Sequence, residues 1–166
     1  MGAPIHHVQV SENTDSSGGR MPKLIPKEAY YDADWYTAEI EHVFGQTWIL
    51  GAYTSEIPLP GDYTTIQVGH ESIVLVNTGN GIQGYVNICR HRCLQLTMGA
   101  GNCGKRFRCD YHAWEYDIVD GHLTKVPQRA NQFPGIDLQD LGLIRVATHS
   151  SRGLVFVNLS DHPPAF

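Results

Sequence analysis

Four residues within one short stretch constrain this chain more than anything else in it. Cys89 and His91 form a C-x-H pair, Cys109 and His112 form a C-x-x-H pair, and seventeen residues separate His91 from Cys109. Each pair offers one soft thiolate and one imidazole from a short loop, so two facing loops would supply two sulfurs and two nitrogens. That donor set suits a 2Fe–2S cluster in which two cysteines hold one iron and two histidines the other, and neutral imidazoles raise its potential above that of an all-cysteine cluster. Two rival readings stay open. A structural zinc site also uses four Cys and His ligands, but it commonly pairs Cys with Cys and His with His, whereas both clips here are mixed. Cys93 could join Cys89, Cys109 and His112 in such a site, leaving His91 idle. The cysteines could also be inert buried thiols or disulfide partners. Only the iron–sulfur reading uses both clips as they stand.

The bulk composition sets the frame. A chain of 166 residues, 42% hydrophobic, is one ordinary domain with enough apolar content for a core. A net charge of −5 gives no general attraction to nucleic acid or to anionic membrane surfaces. The first twenty residues hold a polar Ser/Asn/Gly-rich run and no apolar signal segment, and nothing approaches the roughly 18–20 apolar residues of a membrane span. Four cysteines, two or more of them metal-bound, fit a reducing compartment, so a soluble cytoplasmic protein is expected.

Residues 1–20 read as a disordered tail in which His6 and His7 are incidental, and 21–26 as a proline-punctuated lead-in. The spacing of Tyr36, Ile40, Val43 and Phe44 predicts an amphipathic helix over 34–46, capped by Asp32 or Asp34 and ending near Gly45. It packs either on this domain or on something the chain does not contain. Short strands follow, over 48–54, 63–68, 72–76, 82–88, 106–109, 114–117, 143–148 and 154–159. Turn signals at 58–61, 79–81 and 120–121 separate them. Such a pattern predicts an antiparallel sandwich or small barrel with both clips on loops at strand ends. Residues 127–142 read as a long surface loop and 161–166 as the start of a linker.

Other motifs fail on context. The run 99–104 fits G-x-G-x-x-G literally, but it follows no apolar strand and opens no helix, so it reads as a flexible connector between the clips. Asn158 begins a glycosylation-type triplet without meaning inside a cell. Arg90, Arg92, Lys105, Arg106 and Arg108 make a basic cluster, either a solvated face or a docking patch for an acidic electron-transfer partner. No serine–histidine–acid set or P-loop can be picked out.

The likeness to a known family extends beyond the clips. It is carried by the helix region 34–48, the turn at 57–62, the segments 87–92 and 111–116, and the strand 153–159. From about Leu24 onward the chain resembles the α (oxygenase) subunit of Rieske non-haem iron oxygenases, the ring-hydroxylating dioxygenases and related monooxygenases and demethylases. The resemblance implies a Rieske-type β-sandwich over 48–160, preceded by the lead-in and helix of 21–47. It places the 2Fe–2S cluster on Cys89, His91, Cys109 and His112. Tyr111 and Trp114 become neighbours that exclude water and tune the potential, with Asp110 and Arg92 beside the clips. It further implies an oxidoreductase fed by a reductase or ferredoxin, a trimeric assembly, and a mononuclear Fe(II) in a separate C-terminal domain that this chain lacks. On its own the chain would carry an electron and hydroxylate nothing. A free-standing Rieske ferredoxin and a zinc-stabilised binding module remain the alternatives. Two departures matter: the family often has a small residue where Cys93 stands and a proline where Asp110 stands. An anionic Asp110 is expected to favour the oxidised cluster, and Cys93 to be a free thiol or to pair with Cys103. Rieske proteins of quinol-oxidising complexes tie their two loops with a disulfide, for which no cysteine is placed here.

Overall fold

The computed structural model describes residues 25–166. The expected tail over 1–20, with His6 and His7, and most of the lead-in lie outside these residues. The predicted helix forms as α1, Ala33–Glu39, extended by one wider turn over Ile40–Phe44. Asp32 caps it, accepting hydrogen bonds from the backbone N–H of Asp34 at 2.8 Å and of Trp35 at 3.1 Å, which satisfies two donors that a helix start leaves free. The widening shows in the bond from Gly45 N–H to Ile40 O at 2.9 Å, a span of five residues. The apolar stripe is poorly covered: Tyr36 is 54%, Val43 47% and Phe44 40% exposed. Ile40 lies over Gly69 and Tyr36 meets His70 edge to face. The helix therefore rests on one turn of the domain, not on a sheet face.

All eight predicted strands form, with shifts only at their ends. They are β1 Ile49–Tyr53, β2 Asp62–Val68, β3 Glu71–Asn77, β4 Ile82–Val86, β6 Arg106–Arg108, β7 Glu115–Asp117, β9 Arg145–Ser151 and β10 Leu154–Asn158. Two more were not expected: β5 Ala100–Asn102 and β8 Leu123–Lys125. Every pairing is antiparallel. One sheet runs β1-β10-β9-β4-β3-β2-β5 and the other β6-β7-β8. The large sheet curls, so that a Cβ added at Gly51 on β1 would meet Ile66 of β2 and Leu75 of β3.

β3 explains the layering. Its run Ile73, Val74, Leu75, Val76 is fully buried on both faces, the mark of a strand between two cores. Ile73 and Leu75 face the interior of the curled sheet with Val155 and Val157. Val74 and Val76 face the three-stranded sheet, meeting a core that contains Phe107, Tyr116 and Leu123. The second core also takes in Cys89 and Cys109.

Two expectations are corrected. The connector over 99–104 is not structureless, because β5 pairs with β2 through Asp62↔Asn102, Tyr63↔Gly101 and Thr64↔Ala100. The Tyr63 ring lies where a Cβ on Gly101 would stand, so glycine is there for close packing rather than slack. The segment 127–142 is not a bare surface loop either. It carries the short helix α2, Arg129–Gln132, and it packs Phe133, Ile136, Leu138 and Leu141 onto the second core. Beyond the last strand, the Trp48 indole donates to Pro164 O at 3.0 Å and Phe166 stacks on His149, so the expected linker lies against the large sheet. No helix among the described residues is long and apolar enough to cross a membrane.

Asn87, fully buried at the end of β4, anchors the first clip. Its amide donates to Ser72 Oγ at 3.2 Å and Thr97 O at 2.8 Å, and its carbonyl accepts from Thr97 N–H at 3.2 Å. Asn87→Ala strands these buried groups and is expected to lower the unfolding free energy by about 2–3 kcal/mol, read by urea denaturation.

Candidate metal centre

The two clips fold into the same backbone shape. In the first, Cys93 N–H donates to Cys89 O at 2.9 Å, and Cys89 N–H donates to Leu94 O at 2.7 Å. In the second, Ala113 N–H donates to Cys109 O and Cys109 N–H to Trp114 O, both at 2.9 Å. The residue four places after each cysteine is left-handed, Cys93 at φ 55° and Ala113 at φ 54°. Cys93 is thus the structural counterpart of Ala113, a position that asks for a small side chain because its backbone is already strained. Its thiol is exposed, and neither Cys93 nor Cys103 is in a disulfide, which removes the expected alternative of a bond between them.

This repetition buries Cys89 and Cys109 to 1% and 2% exposure and brings the rings of His91 and His112 to 4.5 Å. Nδ1 of each histidine is buried and has no hydrogen-bond partner. A buried polar nitrogen left unsatisfied costs about 1–3 kcal/mol, so two on neighbouring rings suit an electron-pair acceptor. Burial, followed by the charges of His112 and Arg92, holds His91 below its ordinary pKa. Its imidazole is therefore neutral and ready to donate a lone pair near neutral pH. Burial pushes the Cys89 thiol up, against the pull of a hydrogen bond with Tyr116.

Tyr116 is a site residue that the sequence reading missed. Its hydroxyl lies 3.2 Å from Cys89 Sγ and accepts from Arg90 N–H at 3.0 Å. The phenol proton is then available to the sulfur, as the thiol proton is to the phenol. Trp114 is buried and stacks on His91 at 4.7 Å and 9°. Tyr111 lies against His112 at 3.8 Å but is 57% exposed, so it shields less than expected. Asp110 and Arg92 are exposed. Phe133 was also missed. It stands perpendicular to His91 at 5.4 Å, and with Trp114, Pro127, Gln128 and Gln132 it walls a cavity of about 190 Å³ onto which both imidazoles open. Strand alternation from Trp114 to Tyr116 signals an inward phenol; nothing local marks Phe133.

The donors do not converge as a single ion needs. Among the described residues, the one group of three donors all within 4.8 Å of one another is half-buried Asp117 with exposed Asp120 and His122, none of them in the clips. One tetrahedral zinc with ligands at about 2.0–2.3 Å would draw its four donors closer than that. Two cysteines and two histidines held apart suit two irons instead.

The residues 47–148 match the model of the Rieske [2Fe-2S] domain. This chain belongs to that family. The chain is 33% identical over 157 residues to the α subunit of biphenyl 2,3-dioxygenase from Rhodococcus jostii (strain RHA1), covering 93% of this chain and 33% of the relative. It is 35% identical over 151 residues to the α subunit of chlorobenzene dioxygenase from Cupriavidus sp. (strain PS12), covering 90% and 32%. Among solved structures it superposes on a quaternary ammonium Rieske monooxygenase with TM-score 0.79 and 27% identity, covering 85% of this chain and 39% of that one. It superposes on naphthalene 1,2-dioxygenase from Rhodococcus sp. with TM-score 0.78 and 31% identity, covering 85% and 32%. The Rieske domain thus spans about a third of the length of the curated relatives it matches. Its cofactor is the Rieske 2Fe–2S cluster, and the donor set just described fits it.

The second clip rides on β6 and β7, and Glu115 braces them. Its carboxylate, 14% exposed, meets Arg106 at 3.3 Å and Lys125 at 3.1 Å. Lys125, then Arg106, hold its pKa below the ordinary 4.5. A depressed carboxylate stabilises the fold above its unfolded pKa and loses that contribution as pH falls through the folded value. Glu115→Gln is therefore expected to cost roughly 0.5–1 kcal/mol near pH 7. The difference from wild type should vanish well below pH 4.5, as followed by denaturant titrations across pH.

Proposed function

We propose that this Rieske domain carries one electron through a cluster held by Cys89 and Cys109 on one iron and His91 and His112 on the other. The observation that carries the reading is the meeting of two buried thiols on matched turns with two buried, unpartnered Nδ1 atoms. When bound, the cluster supplies a one-electron couple whose potential is raised by its two imidazoles. The remaining work is done by the chain. The matched turns preset the positions of the ligands, so little reorganisation accompanies a change of charge. Trp114 covers one face of His91 and keeps water from it. The Tyr116 hydroxyl donates to Cys89 Sγ, which stabilises added negative charge on sulfur and favours the reduced state.

The similarity to dioxygenase α subunits, each about three times as long as the matching segment, supports a place at the start of such a subunit. In that setting a reductase or ferredoxin is the donor, and a mononuclear iron in a following domain is the acceptor, within a trimeric cytoplasmic oxygenase. Arg92, Lys105 and Arg108 are exposed around the clips and suit an acidic donor. Arg106 is engaged with Glu115 and contributes less. By itself the domain transfers an electron and hydroxylates nothing.

The test is anaerobic reconstitution with iron and sulfide followed by EPR of the dithionite-reduced chain. A rhombic Rieske-type signal with low average g is expected, and it should be lost in His91→Cys and His112→Cys. A zinc-loaded, EPR-silent protein would sink the proposal. Tyr116→Phe should retain the signal and lower the midpoint potential. Loss of about 1 kcal/mol of hydrogen bonding corresponds to a shift of roughly 40 mV for one electron, measurable by redox titration.

A further inference from the structure

Phe133 has no part in the ligand set, yet the structure gives it a definite relation to one ligand only. The His91 ring is closed in by three others: Trp114 stacked at 4.7 Å, His112 edge-on at 4.5 Å, and Phe133 perpendicular at 5.4 Å. Phe133 also stands edge-on to Trp114 at 5.6 Å, so His91, Trp114 and Phe133 form a closed triangle of contacts. A turn of the His91 ring about its Cβ–Cγ bond drives it into one of them. His112 opens onto the same cavity, but among the described residues the aromatic rings beside it are His91 and Tyr111, the latter mostly exposed.

The segment that delivers Phe133 is built to hold it. Gln128 starts it in a left-handed conformation at φ 54°. The Gln132 amide then donates to the Gln128 carbonyl at 2.6 Å, and Phe133 N–H donates to Arg129 O at 2.9 Å. The Arg129 guanidinium returns to Ile136 O at 2.9 Å, closing the bend around Phe133. Ile136, Leu138 and Leu141 then fix the strap to the core beneath. A non-glycine residue in the left-handed region costs free energy and persists where its surroundings require it. Here the requirement is the placement of one aromatic ring against one imidazole.

We propose that Phe133 is a positioning residue that sets the ring orientation of His91 and makes the two imidazoles inequivalent, an inference that rests on the ligand assignment above. The lone pair of Nδ1 lies in the plane of its ring, so ring tilt directly changes its overlap with a bound metal. The strap 127–141 thereby puts an aromatic ring against His91, while His112, which opens onto the same cavity, has Tyr111 against it.

Pulsed EPR of the reduced, reconstituted chain resolves the ¹⁴N couplings of the two imidazoles separately. Phe133→Ala is expected to shift one coupling and leave the other unchanged, with bleaching of the cluster in air accelerated severalfold. Phe133→Tyr, which keeps the ring edge, should restore both properties. If Phe133→Ala does not fold, Phe133→Leu keeps the apolar bulk without the ring and should show the same single shift. Two couplings unchanged in the substituted chain would overturn the proposal, as would an equal shift of both, which is the mark of general loosening. A wild-type chain lacking imidazole couplings would overturn the ligand assignment and this proposal with it. Two clear wild-type couplings that Phe133→Ala leaves alone would overturn only the role of Phe133.

Discussion

The hydroxyl of Tyr116 is where the two halves of this domain become one site. It sits on β7 of the three-stranded sheet, yet its partners, Arg90 N–H and Cys89 Sγ, belong to the loop that follows β4 of the large sheet. The phenol is fully buried, and burial raises its pKa far above the ordinary tyrosine value, so it keeps a proton that it can offer to the sulfur. Reaching across requires that the small sheet pack closely on β3, which Val74 and Val76 provide from one side and Phe107 and Tyr116 from the other. The packing of the core and the electronic environment of one sulfur thus depend on the same side chain.

Around that link, the clips achieve their geometry by repetition. Each turn closes by the same pair of backbone hydrogen bonds and each carries one left-handed residue. The cysteines therefore enter the core in equivalent ways, while the histidines, two residues on in one clip and three in the other, still meet face to edge. Burial removes water from the imidazole nitrogens, and their missing partners support the proposed placement of the cofactor there. The matched turns hold the side chains of the proposed ligand set in fixed positions, which suits electron transfer because little needs to move.

The outer parts of the domain differ in how firmly they are held. The strap over 127–141 is tied to the core by apolar side chains and to itself by amide and guanidinium bonds, so it behaves as a wall of the site. The N-terminal helix, in contrast, leaves Tyr36, Val43 and Phe44 substantially exposed and touches the domain at one turn. An exposed apolar stripe of this kind is the surface that a neighbouring domain or subunit would cover.

Local chemistry in the sequence determined the fold class and the strand order along the chain, and it singled out the four residues proposed as donors. Period-two apolar runs, turn residues and clip spacing all act over a few neighbouring positions. It could not reveal β5, because Ala100, Gly101 and Asn102 carry no apolar pattern and their strand exists only through pairing with β2. Nor could it reveal β8, a three-residue strand whose pairing with β7 comes from the packing of the small sheet. The roles of Tyr116 and Phe133 were hidden for the same reason. One lies 26 residues from the Arg90 backbone it joins, and the other reaches His91 from a segment that reads locally as a loop. Contacts between residues far apart in the chain depend on how whole layers pack, and only the tertiary structure decided them.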